Sequence, residues 1–125
     1  MTLDGADIER VQFCAALDHW GRAARGLHGP KGLGRPDGAE PLPDWGPADD
    51  EMERIVASLW RGDQGELRVQ AIRLYYVEGR GDGGSAVLLR VKVGEFERFR
   101  SETERLLFDA WLRRRSKFDK SLKIT

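Results

Sequence analysis

Residues 83–115 read GGSAVLLRVKVGEFERFRSETERLLFDAWLRRR. A short apolar run, a polar break and a long segment with apolar residues at helical spacing follow one another. The pattern predicts a short helix over 84–90, a turn, and a long amphipathic helix over about 94–117. Small Ala86 stands where two helices must approach closely, with Leu89 and Val91 at +3 and +5 and Phe96 and Phe99 at +10 and +13. That is the burial pattern of a helix-turn-helix, whose second helix is presented to a DNA groove. Arg90 occupies the position where a left-handed glycine is usual, and the turn reads one or two residues longer than the tight form.

Along the closing helix, Phe96, Phe99, Thr103, Leu106 and Ala110 step by 3, 4, 3 and 4, and Leu107, Trp111 and Phe118 add a neighbouring stripe. Gly94 is the expected N-cap, with Glu95 and Glu97 placed to complement the positive end of the helix dipole. Upstream, Gly79–Gly84 reads as a turn, with Asp82 or Ser85 capping the short helix. The run Glu66–Val77, ELRVQAIRLYYV, follows neither period well: its apolar residues alternate at 67, 69 and 71 and then shift phase at 72, 74 and 76. A phase break argues against a strand with one buried face, so a buried helix is expected. The alternative pairs this run with AVLLRVKV as a β-hairpin across EGRGDGGS.

Further out, Asp4 or Asp7 can cap a first helix over 6–25 that Gly26 would end. Ile8, Val11 and Ala15 form one stripe on it, and Phe13, Leu17, Trp20 and Ala24 a second, so a helix covered on most sides is expected. Residues 26–47 hold all five prolines and six of the fifteen glycines, which excludes a regular element. Trp45 is read as the anchor pinning this loop to the core, the alternative being an exposed partner contact. A second helix opens at Pro47-Ala48-Asp49-Asp50-Glu51, where Pro suits the first turn. Met52, Ile55, Val56, Leu59 and Trp60 make its inner face, and Gly62 stops it. The resulting class is all-α: one domain over 1–125 of about five helices, with a helical core over 48–117, the helix-turn-helix at about 83–115 and a basic tail over 118–125.

An apolar content of 40% suffices for a core, and no apolar run approaches the ~18 residues of a membrane span. The start, MTLDGADIER, is unlike a secretory leader, and one cysteine excludes an internal disulfide, so a cytoplasmic protein is expected. The zero net charge hides an asymmetry: residues 1–60 carry 6 Lys+Arg against 11 Asp+Glu, and residues 61–125 carry 15 against 10. That suggests two different partners, or subunits meeting head to tail.

Catalytic and metal chemistry finds few candidates. Cys14, His19 and His28 lack the paired spacing of a structural zinc site. GRGDGG at 79–84 is not a phosphate loop, because no Lys-Ser/Thr pair follows it. The carboxylates sit on helix faces as partners of arginine, such as Glu97 and Glu104 with Arg100. The expectation is a non-enzyme with no cofactor and no metal. In the nucleic-acid reading, Lys92, Glu95, Arg98, Ser101 and Glu102 reach the major groove, and Arg80, Arg90 and Arg105 reach phosphates. Arg113, Arg114, Arg115 and Lys117 form a basic patch for sequence-independent attraction.

Four pieces then carry a family resemblance, in order across residues 17–115. They are Trp20-Gly21 followed by small and basic residues, Asp49-Asp50 with Met52, Leu74-Tyr75-Tyr76-Val77 with Gly79 close behind, and the helix-turn-helix with its long closing helix. In these the chain resembles the late-gene antitermination Q proteins of phages, of the phage 21 type. The resemblance implies an all-helical fold with a σ region 4-like helix-turn-helix that binds a DNA element overlapping a late promoter. It implies loading onto a paused, σ-containing bacterial RNA polymerase in the host cytoplasm. There such proteins form a collar at the RNA-exit channel, threading nascent RNA and suppressing pausing and termination. Carried onto this chain, Arg90–Glu102 reads the DNA, self-association on DNA is possible, and Trp20, Arg22, Arg25, Lys31 and Arg35 are candidates for polymerase or RNA contact. The cysteine-bound zinc of lambda-type members has no ligands here. Without polymerase dependence, the same motif would suit a helix-turn-helix regulator or a small terminase subunit.

Overall fold

A computed structural model describes the backbone of residues 5–28 and 41–123, and the side chains of residues 7–27 and 41–115. Its α-helices are α1 (Gly5–His28), α2 (Pro47–Ala57), α3 (Gly65–Ile72), α4 (Gly81–Leu89) and α5 (Val93–Lys123). The molecule is an all-helical domain in which the last helix is the longest. Its 31 residues span about 46 Å at 1.5 Å per residue. No helix among the described residues is long and apolar enough to cross a membrane.

The ambiguous run at 66–77 is helix, and the hairpin alternative falls. Gly65, Arg68, Val69 and Ile72 are buried at ordinary helical spacing, and α3 then passes directly into a π-helical stretch, Arg73–Val77. There Glu78 N–H donates to the Arg73 carbonyl five residues back, at 2.9 Å. The wider π turn takes in an extra residue, and that residue rotates every later side chain. Gly79, at φ 66°, ends the stretch in the left-handed region that glycine adopts at no steric cost, and Arg80 N–H reaches back to the Leu74 carbonyl at 3.1 Å.

α2 opens as its sequence dictates. Pro47 takes the first position, and the Asp49 carboxylate reaches back to accept the Gly46 N–H at 2.9 Å, half of a capping box. From Ser58 the helix tightens to 3₁₀ geometry. At three residues per turn the phase advances, which buries Leu59 and turns Trp60 outward, contrary to the inner-face expectation.

One core cluster joins Phe13, Leu17, Trp20 and Ala24 of α1 to Met52, Ile55, Val56 and Leu59, with Val69, Ile72, Val77 and Leu107 closing it. Each fully buried large aliphatic side chain contributes about 1.5–3 kcal/mol. Trp45 packs against this cluster, and its indole N–H donates to Asp50 at 2.8 Å, in keeping with an anchor. Of the two stripes expected on α1, only that of Phe13, Leu17, Trp20 and Ala24 is buried. Ile8, Val11 and Ala15 are exposed. The helix also continues through Gly26 to His28.

A second, smaller cluster holds α4 against α3 and α5: Ala71, Ala86 and Phe96, flanked by Tyr75, Leu89 and Phe99. α4 starts at Gly81, earlier than expected, with Arg80 as N-cap and no side-chain cap. Neither Asp82 nor Ser85 serves as one: Asp82 binds Arg100 and Ser85 is buried without a partner. α5 begins at Val93, so Gly94 lies inside its first turn rather than capping it. Leu107, not Leu106, faces the core, because the inward line through Phe96 and Thr103 steps by 7 and then 4.

Candidate nucleic-acid interface

Three residues, Arg90 to Lys92, separate α4 from α5, as many as the expected helices leave but one position earlier. Arg90 itself adopts the left-handed conformation, φ 59° and ψ 43°. Its N–H donates to the Val87 carbonyl at 3.2 Å, and the Val91 N–H to the Ala86 carbonyl at 3.0 Å. These two bonds close a Schellman motif, which satisfies the last carbonyls of α4. A non-glycine residue held left-handed costs roughly 1–2 kcal/mol. Burial of Ala86 and Phe96 beneath the turn supplies a tertiary restraint that holds it there.

Two charged clusters set the position of α5. Arg100 donates to both carboxylate oxygens of Asp82, at 2.8 and 3.2 Å, and also to Glu104, while its guanidinium lies 4.1 Å from the Tyr75 ring centroid. Burial works to lower the Arg100 pKa, but the Asp82 hydrogen bond and the Glu104 charge more than offset it and move it upward. Tyr76 donates its hydroxyl to Glu104 at 3.0 Å, and burial, reinforced by the Glu104 charge, pushes that phenol well above its ordinary value. On the other flank Arg68, 5% exposed, donates to Thr103 Oγ1 at 2.8 Å, to Glu102 Oε1 at 2.9 Å and to the Asp63 carbonyl at 3.1 Å, over the face of Phe99. Nothing in the apolar pattern of Glu66–Val77 marks Arg68 as an interior residue; the surroundings of its cation come from α5, 35 positions away.

With α5 held in this way, Gly94, Arg98, Ser101 and Arg105 form an outward stripe at +4, +3 and +4, and all four are exposed. Arg90, Lys92, Arg98 and Arg105 make no side-chain hydrogen bond or ion pair among the described residues. Glu95 is also exposed. Arg80 donates to Glu78 at 2.9 Å, and the carboxylate of Glu102 is engaged by Arg68. Of the basic patch, Arg113 is exposed, Arg114 pairs with Glu51, and Arg115 donates to Gln12 at 2.8 Å and stacks on Trp111. The side chain of Lys117 lies outside the described residues.

Of the candidates for polymerase or RNA contact, three lie among the described residues. Trp20 is 0% exposed and donates its indole N–H to Glu53 at 2.7 Å, so it is a core residue and no surface contact. Arg25 donates to the carbonyls of Val77, at 2.6 Å, and Tyr76, at 3.3 Å, capping the π stretch. Arg22 is half-buried and engaged. Lys31 and Arg35 lie outside the described residues.

The separate sequence pieces Trp20-Gly21, Asp49-Asp50-Met52 and Leu74–Gly79 meet at one crossing of α1, α2 and the π stretch. A Cβ on Gly21 would lie 2.4 Å from the Tyr76 carbonyl oxygen, so only glycine admits the π stretch this closely. Asp49, 2% exposed, has Oδ1 2.8 Å from His19 Nδ1, while Oδ2 accepts the Gly46 N–H. Among the described residues, no three His, Cys, Asp or Glu side chains gather as a metal site would require. Compared with known proteins, the chain matches no family model, no curated protein and no solved structure.

Proposed function

We propose that α4, the 90–92 turn and α5 form a helix-turn-helix, and that the chain is a phage antitermination factor. In this reading it binds duplex DNA at a late promoter and then loads onto a paused, σ-containing RNA polymerase, suppressing termination without catalysis. The observation that carries the DNA step is Arg90 held left-handed above the buried Ala86 and Phe96. A left-handed residue here suits the glycine-like bend of the motif, and burial of Phe96, Thr103 and Leu107 leaves Arg98, Ser101 and Arg105 on the outer face of α5. Arg98 and Arg105 lack partners among the described residues, as side chains awaiting guanine edges or phosphates would. The antitermination step rests on the resemblance.

Run-off transcription through an intrinsic terminator, from the late promoter next to the gene, tests the whole reading. Added protein is expected to raise read-through and to migrate with the paused polymerase complex. Specific DNA binding with no effect on polymerase would assign the chain to ordinary helix-turn-helix regulators instead. No DNA binding would remove both.

A further inference from the structure

Large aliphatic side chains stand in solvent around the α4–α5 turn: Val87 is 76% and Leu88 51% exposed, with Val91 and Val93 also exposed. Beside them opens a cavity of about 190 Å³, lined by Leu67, Leu89, Val91, Phe96 and Phe99, with Gln64 and Glu95 at its polar edge. An adjoining depression shares Gln64 and Leu67 and adds Glu66. The cavity volume corresponds to on the order of six waters at about 30 Å³ each. Water held against such a lining is released favourably when an apolar side chain enters. An exposed aliphatic cluster continuous with an apolar cavity is the surface signature of a docking site.

Charge indicates the occupant. Exposed Glu95 lines the cavity and exposed Glu66 the adjoining depression, while the turn that carries the aliphatic cluster also carries the exposed cations Arg90 and Lys92. One chain therefore presents an apolar projection beside two positive charges and an apolar cavity beside two negative ones. A patch holding both halves of a contact is self-complementary, as a two-fold interface requires. We propose that this surface joins two copies of the chain about a two-fold axis, with Val87 and Leu88 of each copy docking into the cavity of the other and Arg90 and Lys92 facing Glu66 and Glu95 across the axis. Arg90, Lys92 and Glu95 also belong to the expected DNA face, so pairing and full DNA contact compete for them. In the paired form, contact with DNA falls to Arg98, Ser101 and Arg105, which take no part in the cavity lining.

Sedimentation velocity of the full chain over a concentration series tests this. A reversible dimer is expected, and Val87→Asp should weaken it about tenfold or more, the scale on which losing a central apolar contact acts. Val87 is too exposed for its substitution to disturb folding, and an unchanged melting temperature at low concentration checks that. Charge exchange gives a second readout: Glu66→Lys/Glu95→Lys and Arg90→Glu/Lys92→Glu should each be monomeric alone and should dimerise when mixed. A wild-type chain that stays monomeric throughout overturns the proposal. So does a dimer indifferent to Val87→Asp, or a mixture of charge variants that fails to pair. A monomer that instead binds a leucine peptide flanked by lysines would give the surface to a different protein and overturn the two-copy assignment.

Discussion

Arg90 shows how a single residue can hold a conformation its side chain disfavours. Its left-handed φ is imposed by the Schellman bonds to Ala86 and Val87 and by packing beneath the turn. Arg90→Gly should therefore stabilise the fold by up to about 1 kcal/mol, read as a raised thermal midpoint, because relief of the strain exceeds the added unfolded-state entropy. Gly21 is the opposite case. Adding a Cβ places it against the Tyr76 carbonyl, where backbone must move, so Gly21→Ala is expected to cost about 2–4 kcal/mol. Gly94 sits in the first turn of α5 with nothing within 4 Å of an added Cβ. Gly94→Ala should stabilise by about 0.5–1 kcal/mol, and comparing the two alanine variants by denaturant unfolding separates crowding from helix propensity.

Among the elements, the π stretch is the one whose chemistry reaches furthest. It brings Tyr76 to Glu104 of α5 and presents the carbonyls that Arg25 of α1 caps. Because the folded state raises the Tyr76 pKa, it holds that proton more tightly than the unfolded chain does. The resulting stabilisation is complete below the ordinary phenol value of about 10 and is lost as pH rises above it. Tyr76→Phe removes both the proton linkage and the hydrogen bond, which costs about 1 kcal/mol at neutral pH. The gap in melting temperature between wild type and Tyr76→Phe should then narrow as pH is raised past 10. A constant gap would show that folding does not raise the Tyr76 pKa.

For the whole molecule, the question is which arginines face outward free and which hold the fold. Arg25, Arg68 and Arg100 bind carbonyls and carboxylates in the interior or at helix ends, whereas Arg98 and Arg113 are exposed. On the proposed reading, Arg98→Ala should weaken binding to a selected site by about 1–3 kcal/mol and leave affinity for random DNA nearly unchanged. Arg113→Ala should weaken both equally and reduce the salt dependence by about one counterion. Mobility-shift titrations at several salt concentrations distinguish the two, and equal losses for Arg98→Ala on both DNAs would contradict base reading.

Apolar periodicity was enough to specify the helical class, the inner face of α2 as far as Leu59, the inward stripe of α1 from Phe13 to Ala24, and the placing of Ala86 under Phe96 and Phe99. The helical faces depend on residues three or four apart on one helix, and the Ala86 contact on two helices joined by three residues, so that information is local. The left-handed Arg90, the π turn that follows Ile72, the 3₁₀ tightening that turns Trp60 outward, and the burial of Arg68 are properties of a different kind. They arise where one helix presses on another or where a partner lies tens of residues away in the chain. Trp20 makes the distinction plain: its type and spacing suit either a core or a contact surface, and only the packing of α2 and the π stretch around it makes it core. The same holds for the charges, since an arginine's letter does not say whether a carboxylate from a distant helix will reach it.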